Sequence, residues 1–234
     1  MLTNTSPARV WVSNFPQMGL QKVGLRHKYH GQAWQEPYVR HVVPRRSPEQ
    51  KKSSQRYALG YVVPPEEHVQ ASAVYDHACF AKQSTYCFAG IGYLVDEKVA
   101  EIMRPFDLGS VGLVDHPIFE ADEKTPITDK WFRLGLGVQK RSVLPEKSTG
   151  LDLLWDGGQE KDSLFCLDYN PKDNAIAVSK DALAGSDMWN EAEVKSAIFL
   201  SDGLGQALVD PGLRDALGIT SVKVKTRHPW PFRK

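Results

Sequence analysis

Two stretches of the chain, GYLVDEKVAEIMRPFDLGSVGLV at 92–114 and AIFLSDGLGQALVDPGLRDALGITSVKV at 197–224, echo one another, and their reading decides the fold. They align when Asp96 is laid on Ser201. Each of these residues ends an extended apolar run, and its side-chain oxygen can accept hydrogen bonds from the first unpaired amides of a helix. From that cap, apolar residues fall at +3, +6 and +7: Val99, Ile102 and Met103 in the first copy, Leu204, Ala207 and Leu208 in the second. That spacing lines one face of a helix. Pro105 and Pro211 limit the helices, because proline lacks the amide that would continue the ladder. Leu108-Gly109 and Leu217-Gly218 then provide a chain-reversing glycine before a second strand, Val111–Val114 or Ser221–Lys225. The expected class is α+β (mixed α/β): strand–helix–strand units, open to a reading as a duplication, packed on a mixed or antiparallel sheet.

Between the two copies, DKWFRLGLGVQKRSVLPEKS at 129–148 reads as a strand. Period two puts Phe132, Leu134, Leu136 and Val138 on an apolar face, with Trp131, Arg133, Gly135, Gly137 and Gln139 on the other. Gly135 and Gly137 bare that second face to close approach by another backbone or ring. A dinucleotide fingerprint needs a third glycine at 140, where Lys140 stands, and no Gly-Lys-Ser/Thr of a phosphate loop follows. Lys140-Arg141 are expected at a solvated strand end. Upstream, Pro64-Pro65 precede EEHVQASAVYDHACFAK at 66–82, which predicts a helix with His77 on its apolar side beside Val69, Ala73 and Phe80.

With 234 residues, 41% hydrophobic and 24% charged, the chain can bury roughly 70% of its unfolded surface. No run approaches the ~18 apolar residues of a membrane helix, and the first residues lack the build of a secretory signal, so a cytoplasmic location is expected. Cys79, Cys87 and Cys166 read as reduced core thiols; His77, Cys79 and Cys87 lack the Cys-x2-Cys knuckle of a zinc site. Net charge is only +1, yet residues 1–60 carry +8 and residues 151–194 carry −7. The expected organisation is a basic N-terminal α+β region, 1–90, with a mobile loop near 44–56, and a second α+β domain, 91–234.

No Gly-x-Ser-x-Gly elbow, no His-Glu-x-x-His and no cysteine beside an activating base is present, so no catalytic residue, metal or cofactor is assigned and the chain is not expected to be an enzyme. An active site assembled from distant residues remains the alternative. The basic stretch 40–56, flanked by Tyr38 and Tyr57, is a candidate nucleic-acid segment with no recognition motif beside it. Trp155, in LDLLWDGGQEKD at 151–162, stands among acids, and Trp189 follows Gly185-Ser186-Asp187. An aromatic side chain on an acidic loop suits the centre of an interface with a basic partner.

The run from residues 88–122 through 129–148 to 197–224 resembles immunity family eleven of bacterial polymorphic toxin systems. The likeness lies in Leu94-Val95-Asp96, Leu108-Gly109, Pro117-Ile118-Phe119 and the closing Ile198 to Leu208, and covers roughly the last 140 residues. Asp96 replaces the commoner serine, Pro211-Gly212 interrupt the closing helix, and the first 60 residues and the tail RHPWPFRK lie outside it. The resemblance implies a cytoplasmic antidote that binds a cognate toxin, encoded next to it and secreted as an effector, and occludes its active site. If that toxin is a nuclease its cleft is basic, and the acidic segment becomes a nucleic-acid mimic. The expected contact residues are Asp152, Trp155, Asp156, Glu160 and Asp162.

Overall fold

The computed structural model describes residues 9–14, 24–34, 69–81, 86–88, 93–155 and 163–226. Its first eight strands are β1 (Val10–Ser13), β2 (Leu25–Tyr29), β3 (Val69–Val74), β4 (Tyr86–Phe88), β5 (Tyr93–Asp96), β6 (Gly112–Asp115), β7 (Ile118–Phe119) and β8 (Trp131–Gly135). The next eight are β9 (Gln139–Lys140), β10 (Leu151–Trp155), β11 (Leu164–Leu167), β12 (Ala177–Ser179), β13 (Met188–Glu191), β14 (Val194–Lys195), β15 (Ile198–Ser201) and β16 (Ile219–Lys225). The α-helices among the described residues are α1 (His77–Phe80), α2 (Glu97–Met103) and α3 (Asp202–Val209).

The expected α+β class is corrected by this count: strand makes up 41% of the structure against 17% helix, and one of the sheets curls into a half-barrel. The protein is mostly β. Four sheets carry the described strands, in the orders β12-β16-β1-β15-β13-β9, β4-β5-β8-β6, β2-β3-β7 and β10-β11-β14. The helices of the two echoing stretches are only about two turns long, and where a helix was expected at 66–82 the described residues form a six-residue strand and one helical turn. Residues Val69–Val74 form β3, between antiparallel β2 and parallel β7. The helix propensity of alanine and glutamine is worth tenths of a kcal/mol per residue, and two ladders with a nearly continuous buried run outweigh it. Only the one-turn α1 follows, capped by Asp76. His77 is consequently exposed, paired with Glu120 at 3.1 Å, rather than packed in a core.

The two echoing stretches do form matching units. In the first, β5 and β6 both run antiparallel to β8, and so parallel to each other across it. In the second, β15 and β16 flank β1 in the same way. The register is identical: Tyr93 and Leu113 both face Leu134, as Ile198 and Ile219 both face Ser13. Asp96 and Ser201 accept from the amides of Val99 and Leu204 as predicted, and Gly109 and Gly218 take the positive φ values of 84° and 56° that a glycine turn supplies. The middle strand, however, comes from opposite directions in the chain: β8 follows its unit, whereas β1 precedes its own by nearly the whole sequence. The N-terminal strand is thus the centre of a sheet built otherwise from residues beyond 130, across the expected 90/91 division.

Both units feed one core. Tyr93, Val95, Val99, Met103 and Phe132 meet their counterparts Ile198, Leu200, Leu204, Leu208 and Trp11 in a single buried cluster. A second core on the other face of the six-stranded sheet holds Val10, Val12, Trp189, Phe199 and Val222. In the quoted stretch at 129–148, every residue of β8 is buried, so both of its faces are covered. A Cβ on Gly135 would overlap Val111, and one on Gly137 would overlap the Ser110 hydroxyl: the bared face receives the 110–112 loop. Lys140 is half-buried rather than at a solvated strand end as expected. Its ammonium lies 3.6 Å from the Trp189 ring centroid and donates to the carbonyls of Ala182, Ala184 and Ser186; burial, opposed by nearby carboxylates, lowers its pKa.

The units differ in one compensated pair. A Cβ on Gly205 would overlap the Trp11 indole, whose Nε1 donates to Asp202 at 3.1 Å. The matching positions of the first unit hold Ala100 and the smaller Phe132, both buried. Gly205→Ala should therefore destabilise the protein, although alanine exceeds glycine in helix propensity by about 1 kcal/mol, and Trp11→Phe should reverse part of that loss in the double variant. Denaturant unfolding of both singles and the double checks this; strict additivity would exclude the contact. Asp96→Ala and Ser201→Ala should each cost about 1 kcal/mol by the same measurement.

Candidate functional site

Gly150 opens LDLLW, and the run of leucines and tryptophan favours a strand, which the chain forms as β10. β10 pairs antiparallel with β11 through Leu151–Leu167, Asp152–Cys166 and Leu153–Phe165, then slips by one residue so that Trp155 faces Leu164. The slip is a bulge at Leu154. β11 continues the sheet to β14, which leaves β10 as an edge whose outer hydrogen-bonding groups have no strand partner among the described residues. Such an edge is a template for an added strand. Its side chains are as open as its backbone: Leu153 is 55% exposed, Leu154 50% and Trp155 60%. Isolated exposed hydrophobics are ordinary, but here three in succession are half or more exposed.

Of the five expected contact residues, Asp152 and Trp155 lie on this strand and are exposed. Asp156, Glu160 and Asp162 fall outside the described residues, as does the basic segment 40–56. Leu153 and Leu154 were missed by the sequence reading, because an unbroken apolar run ordinarily marks a strand buried on both faces. Cys166, opposite Asp152, is a poor nucleophile: burial, then the negative charges of Asp152 and Asp168, push its thiol up.

The acid-rich stretch 151–194 is not one solvated face. Glu191, fully buried, accepts from the amides of Ser142 at 2.6 Å and Val143 at 3.1 Å, from the Trp189 indole at 2.8 Å, and from the Ser142 hydroxyl. Asp187 takes the Ser201 hydroxyl at 2.5 Å and the Asp107 amide at 2.9 Å. Asp173 binds Arg214 and Ser221, Glu193 binds Arg141, and Asp181 binds Ser179. These carboxylates hold loops to the sheets. Among the described acids of this stretch, Asp152 on β10 is exposed and makes none of these contacts.

A second polar group is sealed inside the protein. The Ser72 hydroxyl lies 3.0 Å from His27 Nδ1 and 2.8 Å from His116 Nε2, and Ser72, His27, His116 and Arg133 are all buried. A serine between two histidines suggests a nucleophile with its base, but Ser72 has no exposed surface for a substrate to reach. Among the described residues no group of three or more His, Cys, Asp or Glu could hold a metal ion, and no helix is long and apolar enough to cross a membrane.

Compared with protein-family models and with curated proteins, the chain matches none.

The sealed histidine has a measurable signature. Burial, then the adjacent His27 and Arg133, lower the pKa of His116 to about 3, from about 6.5 in an unfolded chain. Between those values the unfolded state binds a proton that the folded state refuses, so stability falls as pH drops through the window. The melting temperature should decline progressively below about pH 6.5. His116→Gln, which keeps a polar partner for Ser72, should flatten that decline.

Proposed function

We propose that this chain is an immunity protein: it binds a cognate bacterial toxin through β10 and neutralises it by occluding the toxin's active site. The observation that carries the proposal is the edge strand Leu151–Trp155, with Leu153, Leu154 and Trp155 half or more exposed beside Asp152. Burying three large apolar side chains gives an interface its desolvated centre, and tryptophan is the residue type most enriched at such centres. The unpaired edge adds main-chain hydrogen bonds to an extended segment of the partner. Carboxylates around the patch favour a partner with a basic cleft and repel an acidic one.

A toxin that cuts nucleic acid meets that description, because its cleft must hold phosphates. Asp152, with Asp156, Glu160 and Asp162 following it in the sequence, then stands where phosphates would lie. Opposite charge also accelerates capture, which matters when a few free toxin molecules kill. Neutralisation takes place in the cytoplasm of the producing cell, before or after delivery of the toxin. No catalytic step is assigned to the chain in this reading.

Co-expression with the protein encoded beside it should rescue bacterial cells from that protein's toxicity. Trp155→Ala should weaken the complex about thirtyfold or more while changing folding stability by no more than about 0.5 kcal/mol, as for an exposed side chain. Charge reversal at Asp152, Asp156 and Glu160 together should slow association several-fold at low salt and little at high salt. Rescue and affinity unchanged in all these variants would remove β10 as the contact; a harmless neighbour would remove the immunity function itself.

A further inference from the structure

A cleft lies elsewhere, on the six-stranded sheet. Helix α3 packs over β1 and β15, and the β16–β12 end of the sheet is left as an open cleft of about 730 Å³. Period two brings Ser221, Lys223 and Lys225 of β16 to the face shared with Ile219, and all three line the cleft. Arg9, just before β1, and Lys180, just after β12, converge on it from the neighbouring strands. Arg9, Lys180, Lys223 and Lys225 form no ion pair among the described residues. The fifth cation, Arg214, is paired at the wall with Asp173. Partial burial alone would raise the Asp173 carboxyl, but hydrogen bonds from Ser221 and Arg214 outweigh it and hold it below the usual carboxylate range.

Lys223 and Lys225 have no counterpart in the first unit. In the first unit β6 ends at Asp115, the counterpart of Ser221, before any position matching Lys223 or Lys225 is reached. Four unpaired positive groups around one concavity repel each other, and a bound anion removes that repulsion. The cleft also has an apolar contact in Leu183, 46% exposed. Its volume lies in the range of small-molecule sites.

We propose that this cleft binds a small phosphate-bearing molecule of nucleoside-diphosphate size, with Lys223, Lys225, Lys180 and Arg9 holding the phosphates and Leu183 against the ring. The site is on a different sheet from β10 and is independent of the toxin-binding proposal.

Titration calorimetry on the full chain tests it with inorganic pyrophosphate, ADP, adenosine and a single-stranded oligonucleotide. Pyrophosphate and ADP should bind, more weakly as salt rises, and adenosine should not. Lys223→Gln with Lys225→Gln should weaken both phosphate ligands about tenfold or more, as expected for losing charge-assisted hydrogen bonds. Should the double variant fold poorly, Lys180→Gln on its exposed turn repeats the comparison. Absence of binding by pyrophosphate and ADP at millimolar concentration, or equal binding by the variants, overturns the proposal. An oligonucleotide that binds more tightly than ADP and is lost in the same variants overturns it in favour of nucleic acid.

Discussion

The structure depends on four residues near the start of the chain. Val10–Ser13 fill the slot between β15 and β16 and hydrogen-bond to both, so that without them the second unit would be two parallel strands with facing unpaired edges. Trp11 from the same strand enters the core under α3, against the bare backbone of Gly205, while Val10 and Val12 reach the core on the opposite face. One short strand therefore ties both cores together. Its neighbours in the sheet lie some 185 residues or more away in the sequence, and closing so long a loop has an entropic cost that the double ladder and the buried tryptophan must exceed. The first unit avoids this demand, because β8 follows β6 by a short connection.

What could be read from the sequence was what is local. The caps at Asp96 and Ser201, the glycine turns at Gly109 and Gly218 and the strand–helix–strand order each depend on residues within a few positions of one another. The middle strand of the second unit was illegible because nothing near Val10–Ser13 names its partners. The fold class failed for a related reason. Ala71, Ser72 and Ala73 carry weak local preferences, and the strands on either side decide their conformation. Lys140 failed through electrostatics: a lysine at a strand end is usually solvated, but here the Trp189 face and three carbonyls replace part of its water.

The candidate site was half legible. Asp152 and Trp155 were chosen for an aromatic among acids, and both are exposed; Leu153 and Leu154 were passed over because apolar runs ordinarily lie inside. The count of acids in 151–194 also overstated the free charge. Glu191 is buried among donors, and Asp173, Asp187 and Glu193 are bound within the molecule. Sequence counts charges without their partners, and a carboxylate already occupied by a guanidinium or an amide contributes little field outside the protein.

An open edge with three exposed apolar residues invites self-association, and the strand carries features that oppose it. The slip at Leu154 breaks the regular spacing of outward hydrogen-bonding groups, which disfavours pairing with an identical edge. In the symmetric register that sets Asp152 opposite its own copy, two like charges meet inside a ladder. A partner with a basic surface reverses that second term from repulsive to attractive while meeting the same exposed Trp155. The surface is thus biased by charge against a second copy and toward a partner of opposite sign, and specificity of that kind needs no precise shape match at the start of the encounter.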